Sequence, residues 1–195
     1  ETAALNPKRV YAQTKKLSEE LIKKQTQKDK LKAISLRYFN PIGAHKDYLI
    51  TDNFDNANGN VMAMLIRVAT GLEEKLNIFG DDYPTADGTG ERDYIHINDV
   101  VDGHFKALER LESIDKYEVY NLGTGSCTSV LELIQTLEKV NDLKIDYKIT
   151  SRRAGDLARS YADPSKANAE LNWEARYNLE TMCKDAWEAI KNGVN

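Results

Sequence analysis

The chain has 195 residues, 41% of them hydrophobic and 30% charged, enough to bury a sizeable core as one large domain or two small ones. Its formal net charge of −4, with Lys and Arg spread along the chain, speaks against nucleic acid or an anionic membrane as the main partner. No run approaches the roughly 20 apolar residues of a membrane-spanning helix, and the N-terminus lacks the charged start and apolar core of a signal peptide.

The apolar spacing of Leu17, Leu21 and Ile22 predicts an amphipathic helix over 11–28, followed by a strand over 31–39 that Asn40-Pro41 ends. Polar residues 43–59 read as a loop. Met62, Leu65, Ile66 and Ala69 predict a helix over 61–70, stopped by Gly71. A short apolar run at 76–79 leads into the turn-rich stretch 80–90. A strand over 94–97 follows, and Asn98 or Asp99 is expected to cap a helix carrying Val100, Val101, Phe105, Leu108 and Leu111. On this pattern His96 alternates on its strand and His104 falls on the apolar side of its helix, so both read as packed structural histidines. A strand over 119–122 ends in Gly123-Thr124-Gly125, which reads as a strand-to-helix turn. Ser129 and Glu132 form a capping box for the next helix, 144–149 reads as an edge strand, and two helices are expected near 165–171 and 179–190. Helices alternating with strands make this an α/β chain.

Tyr11 and Lys15 are spaced so that one helix face carries both. A lysine ammonium beside a phenol favours the phenolate, and such a tyrosine can take a proton from an alcohol as hydride leaves the same carbon. Tyr and Lys four apart also arise on ordinary solvated helices, so the pair alone leaves both readings open. Arg92 and Arg153 lie in or beside turns, where they suit either an anion clamp or a surface ion pair; Phe39 and Phe79 read as core residues. Cys127 and Cys183 lie far apart with no CxxC and no histidine at ligand spacing. Free thiols, a reducing cytoplasmic setting and no metal site are therefore expected.

The strings RYFNPIGAH (37–45), FGDDYPT (79–85), DGTGERDYIH (87–96), YNLGTG (120–125) and RRAGD (152–156) occur in this order. As an ordered set, together with the Tyr11–Lys15 pair, they resemble the UDP-glucose 4-epimerases of the extended short-chain dehydrogenase/reductase superfamily. The resemblance implies the C-terminal portion of an NAD(P)-binding Rossmann-like fold joined to a smaller α/β substrate domain. Residues 1–42 would be the tail of the dinucleotide-binding domain, and 43–195 the UDP-sugar-binding domain with some segments returning to the Rossmann sheet. It further implies NAD as cofactor, UDP-glucose and UDP-galactose as substrates, and a homodimer.

The same resemblance assigns roles. Tyr11 would be the catalytic base and Lys15 its electrostatic partner and cofactor ligand. Tyr38 and Phe39 would line the nicotinamide and sugar pocket, and Asn40 would bond the sugar or diphosphate. Asn60 and Val61 would meet the diphosphate at a helix start. Asn77, Ile78 and Phe79 would hold the uracil, Arg92 and Arg153 would clamp the diphosphate, and Asp156 would bind the uridine ribose. Ser160 stands where relatives often carry a larger aromatic, which implies room for N-acetylated UDP-hexosamines.

Three departures accompany the match. Ala12 replaces the family's usual glycine, and Lys8-Arg9-Val10 precede the tyrosine unusually. Neither GxGxxG nor GxxGxxG occurs, so the dinucleotide loop, the acidic residue for the adenosine ribose and the Ser/Thr beside the tyrosine are expected upstream of a chain that opens at Glu1. The strand over 31–39 is then expected to leave an edge unpaired. An excerpt of an active epimerase is favoured, inactive alone. The alternatives are a non-catalytic UDP-sugar-binding or scaffold protein and a related sugar-nucleotide enzyme, such as a UDP-glucuronate 4-epimerase or, less favoured, a dTDP-glucose 4,6-dehydratase.

Overall fold

The computed structural model describes residues 1–3, 10–28, 30–48 and 59–192. Most of the expected 43–59 loop, and Lys8-Arg9, lie outside the described residues.

Helix α1 (Val10–Lys28) leads into strand β1 (Ala33–Tyr38), and after Phe39 the chain continues as β2 (Asn40–Ile42). Asn40-Pro41 therefore redirects the strand rather than ending it. Helix α2 (Val61–Ala69), β3 (Leu76–Phe79), β4 (Glu91–Arg92), β5 (Tyr94–His96) and α3 (Ile97–Leu111) follow. Then come β6 (Tyr117–Leu122), β7 (Thr128–Ser129), α4 (Val130–Asn141), β8 (Tyr147–Thr150), β9 (Arg159–Ser160), α5 (Ser165–Leu171) and α6 (Leu179–Asn192).

The strands pair in small sheets. β1 and β6 run parallel from Ala33↔Tyr117 to Tyr38↔Leu122. β2 pairs parallel with β5, β3 with β8, and β4 lies between β7 and β9. The β1–β6 pair is covered on both faces. Arg37 reaches α1 by a two-pronged bond to Glu19, with Nε 2.7 Å from Oε1. The opposite face buries Tyr120 and Leu122 with Ile95, Val100, Leu171 and Trp173. A second core fills the space between α2, α4, α6 and β3 with Leu65, Ile66, Ile78, Leu133, Leu137 and Met182.

Several expectations change. The polar side of α1 meets β1, so Leu17 and Leu21 stay exposed and Thr26 is its buried residue. On α3 the buried positions are Asp99, Val100, Gly103 and Ala107, whereas Val101, Phe105, Leu108 and His104 face outward. Close approach decides this: a Cβ at Gly103 would sit 2.5 Å from Leu122 Cδ1, so only the small-residue side can lie on β6. His104 is therefore not packed; its Nδ1 rests 2.8 Å from the Val100 carbonyl. The cap of α3 is His96, whose Nδ1 accepts from Asn98 N–H at 3.0 Å, not Asn98 or Asp99. Strand β8 begins later than expected because the Glu138 carboxylate takes the Ile145 N–H at 2.8 Å. Ser129 caps α4 through Glu132 N–H as the capping box predicts. No helix among the described residues is long and apolar enough to cross a membrane.

Candidate nucleotide-sugar site

A cavity of about 690 Å³ opens between β2, β3, β5, the start of α2 and the 153–156 turn. Its wall includes Phe39 and Asn40 from the β1–β2 bend, Asn60 and Val61 from the α2 start, and Asn77, Ile78 and Phe79 from β3. Arg92, Arg153 and Asp156 complete the set. Ten residues singled out for substrate contact thus meet around one space, although they span more than 110 positions of chain.

Four of them, Asn40, Asn60, Arg92 and Arg153, are held by identifiable bonds. Asn40 donates from both its backbone N–H and its Nδ2 to the Asp93 carbonyl, at 3.1 and 2.8 Å. Asn60 is the N-cap of α2, its Oδ1 accepting from Met62 and Ala63 N–H. The positive end of that helix faces the cavity, a setting that favours an anion. Arg92 is fixed by donating from Nη1 to the carbonyls of Glu91 and Leu157, at 2.7 and 2.9 Å. Arg153 donates to Asp156 at 2.9 Å and lies 4.4 Å over the Phe79 ring.

Among the described residues, strand β3 is paired on one side, with β8, and its other edge is open. Leu76 and Gly80 donate to β8 through the carbonyls of Asp146 and Thr150. Strand alternation turns the N–H and C=O groups of Asn77 and Phe79 the other way, toward the cavity they line. A planar heterocycle with donor and acceptor on one edge can bond there as a further strand would. Burial pushes the phenol of Tyr94, also in the wall, well above its ordinary range, so it stays neutral.

Four expected site residues lie outside the cavity wall. Tyr11 and Lys15 occupy the first turns of α1, near the end at which β1 finishes. Tyr11 is exposed, and Lys15 Nζ lies 5.2 Å from its ring centroid. Tyr38 is half-exposed at the end of β1, its ring centroid 6.0 Å from that of His104. Ser160 is in β9, beside Arg92 of β4 with which it pairs, and is not among the residues of the cavity wall.

Residues missed at the sequence level also line the space. Arg67 and Glu73 form an ion pair of 3.1 Å in the wall. Helical spacing could have found Arg67, because Asn60, Met64 and Arg67 follow the i, i+4, i+7 pattern of one helix face and all three line the cavity. Asp93 was missed as well. It is fully buried, and its carboxylate accepts from Thr124 N–H, Thr124 Oγ1, Gly125 N–H and Ala162 N–H at 2.7–3.1 Å. Behind it, Asp87 receives Thr89 and Ser129. Burial alone would raise its carboxyl, but those hydrogen bonds outweigh it and hold the group below its usual value.

The model of the NAD dependent epimerase/dehydratase family matches residues 1–123, more than half of the chain. The chain belongs to that family. It is 44% identical over 193 residues to the UDP-glucose 4-epimerase of Bacillus subtilis (strain 168), a match covering 98% of this chain and 56% of the relative. It is 51% identical over 152 residues to that of Pasteurella multocida (strain Pm70), covering 78% and 45%. The crystal structure of a UDP-glucose-4-epimerase from Stenotrophomonas maltophila, with bound NAD and formylated UDP-arabinopyranose, superposes with a TM-score of 0.93 at 43% identity. That match covers 98% of this chain and 57% of the solved one. The chain thus spans about half the length of the relatives it matches, and its parallel strands and helices form part of the family's Rossmann-like fold.

Proposed function

We propose that the protein carrying this chain is a UDP-glucose 4-epimerase, interconverting UDP-galactose and UDP-glucose. The observation that carries the reading is one cavity with an open strand edge at β3, two arginines, and a helix N-terminus between them. The strand edge suits the uracil, and the arginines and the helix start together suit the diphosphate. Asp156 beside Arg153 suits the uridine ribose, and Asn40 and Phe39 at the β1–β2 bend suit the hexose.

Tyr11 and Lys15 share a face near the C-terminal end of β1, where ligands of open α/β sheets bind. Together with Tyr38 and Phe39 they fit the nicotinamide end of NAD, while the 195 residues contain no glycine-rich loop for its pyrophosphate. Bound there, NAD would supply a reversible hydride acceptor for C4 of the hexose. In this reading Tyr11 takes the proton of the 4-hydroxyl and later returns it, and Lys15 stands beside it and bonds the cofactor ribose. Firm contacts on the UDP portion and fewer on the hexose allow a 4-keto sugar to turn over and receive hydride on its other face.

The reading extends to a cytoplasmic homodimer, consistent with two free cysteines. It also includes UDP-N-acetylhexosamines as substrates, because Ser160 is small and part-buried beside Arg92. The test is direct. The intact protein, supplied with UDP-galactose, should form UDP-glucose with no net change in NAD; absence of product would reject the epimerase reading. A non-catalytic protein would bind UDP and turn nothing over. Failure to interconvert UDP-N-acetylglucosamine would reject only the Ser160 extension.

A further inference from the structure

We propose that Asp93 is a positioning residue for the hexose end of the cavity, acting through Asn40. The inference rests on the epimerase reading, in which Asn40 meets the hexose.

Asp93 stands where one small sheet gives way to another. It follows β4, which carries Arg92, and precedes β5, which carries Tyr94, and both neighbours line the cavity. Asp93 itself is fully buried and is not part of the wall. Every polar atom of the residue is engaged. Its N–H donates to the Ser160 carbonyl of β9 at 3.0 Å. Its Oδ1 accepts from the N–H and Oγ1 of Thr124, in the turn after β6. Its Oδ2 accepts from Gly125 N–H in that turn and from Ala162 N–H beyond β9. Its carbonyl accepts from both the backbone N–H and the Nδ2 of Asn40, at 3.1 and 2.8 Å.

The carboxylate therefore fixes where residue 93 sits, and the carbonyl passes that position on to Asn40. A carbonyl only accepts, so the nitrogen end of the Asn40 amide must face it, and the carbonyl sets how the amide lies. Other groups that would hold the nucleotide have anchors of their own. Arg92 donates to the carbonyls of Glu91 and Leu157, Arg153 donates to Asp156, and Asn60 caps α2. Loosening the carboxylate thus reaches the hexose end through Asn40 and leaves the UDP contacts in place.

Steady-state turnover of UDP-galactose by the intact protein tests this, with calorimetric affinity for UDP measured beside it. Asp93→Asn keeps the shape, but its NH2 group meets a backbone N–H whichever way the amide lies. It should lower kcat/KM about tenfold, the scale of one hydrogen bond to substrate, with UDP affinity within about twofold. Asn40→Ala should give the same two results. The double variant should lose about tenfold rather than about a hundredfold, because both changes remove one contact. Losses that multiply overturn the proposal. So does a matched loss of UDP affinity in Asp93→Asn, which would mark a general collapse of the cavity. If Asp93→Asn fails to fold, Thr124→Val removes only the hydroxyl bond to the carboxylate. Its loss of kcat/KM should be smaller and should vanish in the Asn40→Ala background; an unchanged kcat/KM overturns the proposal. A wild type that does not interconvert the two UDP-hexoses overturns the epimerase reading, and this inference with it.

Discussion

The buried carboxylate of Asp93 accepts the backbone N–H of Thr124 at 3.0 Å. It also takes the Gly125 N–H, so the Gly-Thr-Gly turn has its donors engaged within the protein and does not offer them to a phosphate. Gly123 is required by the same contact: a Cβ there would lie 2.6 Å from Asp93 Oδ2 and 2.5 Å from Ala162 Cβ. Asp93→Ala would strand three backbone N–H groups, for an expected loss of roughly 3 kcal/mol or more. Urea unfolding of the intact protein measures it, and a loss below about 1 kcal/mol would show that water replaces the carboxylate.

Gly43 and His96 form a second pair whose fit tolerates no addition. Gly43 has φ of +86°, and a Cβ there would meet His96 Cδ2 and Nε2 at 2.7 Å. The imidazole cannot retreat. It is fully buried, stacked on Tyr177 at 4.2 Å between centroids, and 3.2 Å from Asp185. Gly43→Ala should therefore destabilise by about 2 kcal/mol, strain and overpacking adding. A thermal shift of the variant relative to wild type is the measurement, and an unchanged midpoint would sink the expectation.

His96 also gives a pH dependence with a definite sign. Burial pulls its pKa below the ordinary 6.5, outweighing the opposing pull of Asp185 and Asp99, and nearby His45 lowers it further. The unfolded chain then binds this proton more tightly than the folded one. The contribution to stability is complete above about pH 6.5 and declines as pH falls toward the lower folded value. Asp99 has the opposite sign. Burial raises its carboxyl, so its contribution is present at low pH and lost as pH rises through the folded value. Comparing wild type with His96→Gln between pH 8 and 5 leaves burial, the largest cause of the Asp99 shift, common to both proteins. The urea midpoint of wild type should fall more steeply with acid, and parallel curves would reject the assignment.

The sequence carried the helices and most strands because they are local. The periodicity of α2, the Ser129 box of α4 and the apolar run of β3 are written in neighbouring residues. The cavity was legible through strings such as FGDDYPT and RRAGD, which bring together residues from distant positions. What stayed hidden depends on contacts between distant segments. His104 carries the same periodicity as a buried residue, yet Gly103 is what lies against Leu122. Arg67 looks like any solvated arginine until the turn at Leu72 brings Glu73 back beside it. Ser160 was assigned to the sugar pocket by the resemblance alone, and only the pairing of β9 with β4 shows that it stands beside Arg92.

The separation of Tyr11 from the cavity wall gives the last prediction. Tyr11 projects to solvent from the first turns of α1, and its neighbour is Lys15 rather than any cavity residue. If it works as the proton acceptor, its hydroxyl contributes to turnover and little to holding UDP. Tyr11→Phe in the intact protein should lower kcat by about 10²–10⁴, the range for a positioned acid–base group. The calorimetric affinity for UDP should remain within about twofold, because no UDP contact in this reading includes residue 11. Lys15→Met should also lower kcat, because in this reading Lys15 bonds the cofactor ribose. Tyr11→Phe with kcat unchanged would remove Tyr11 as the base while leaving the nucleotide site intact. A matched loss of UDP affinity would instead place the residue in the binding site.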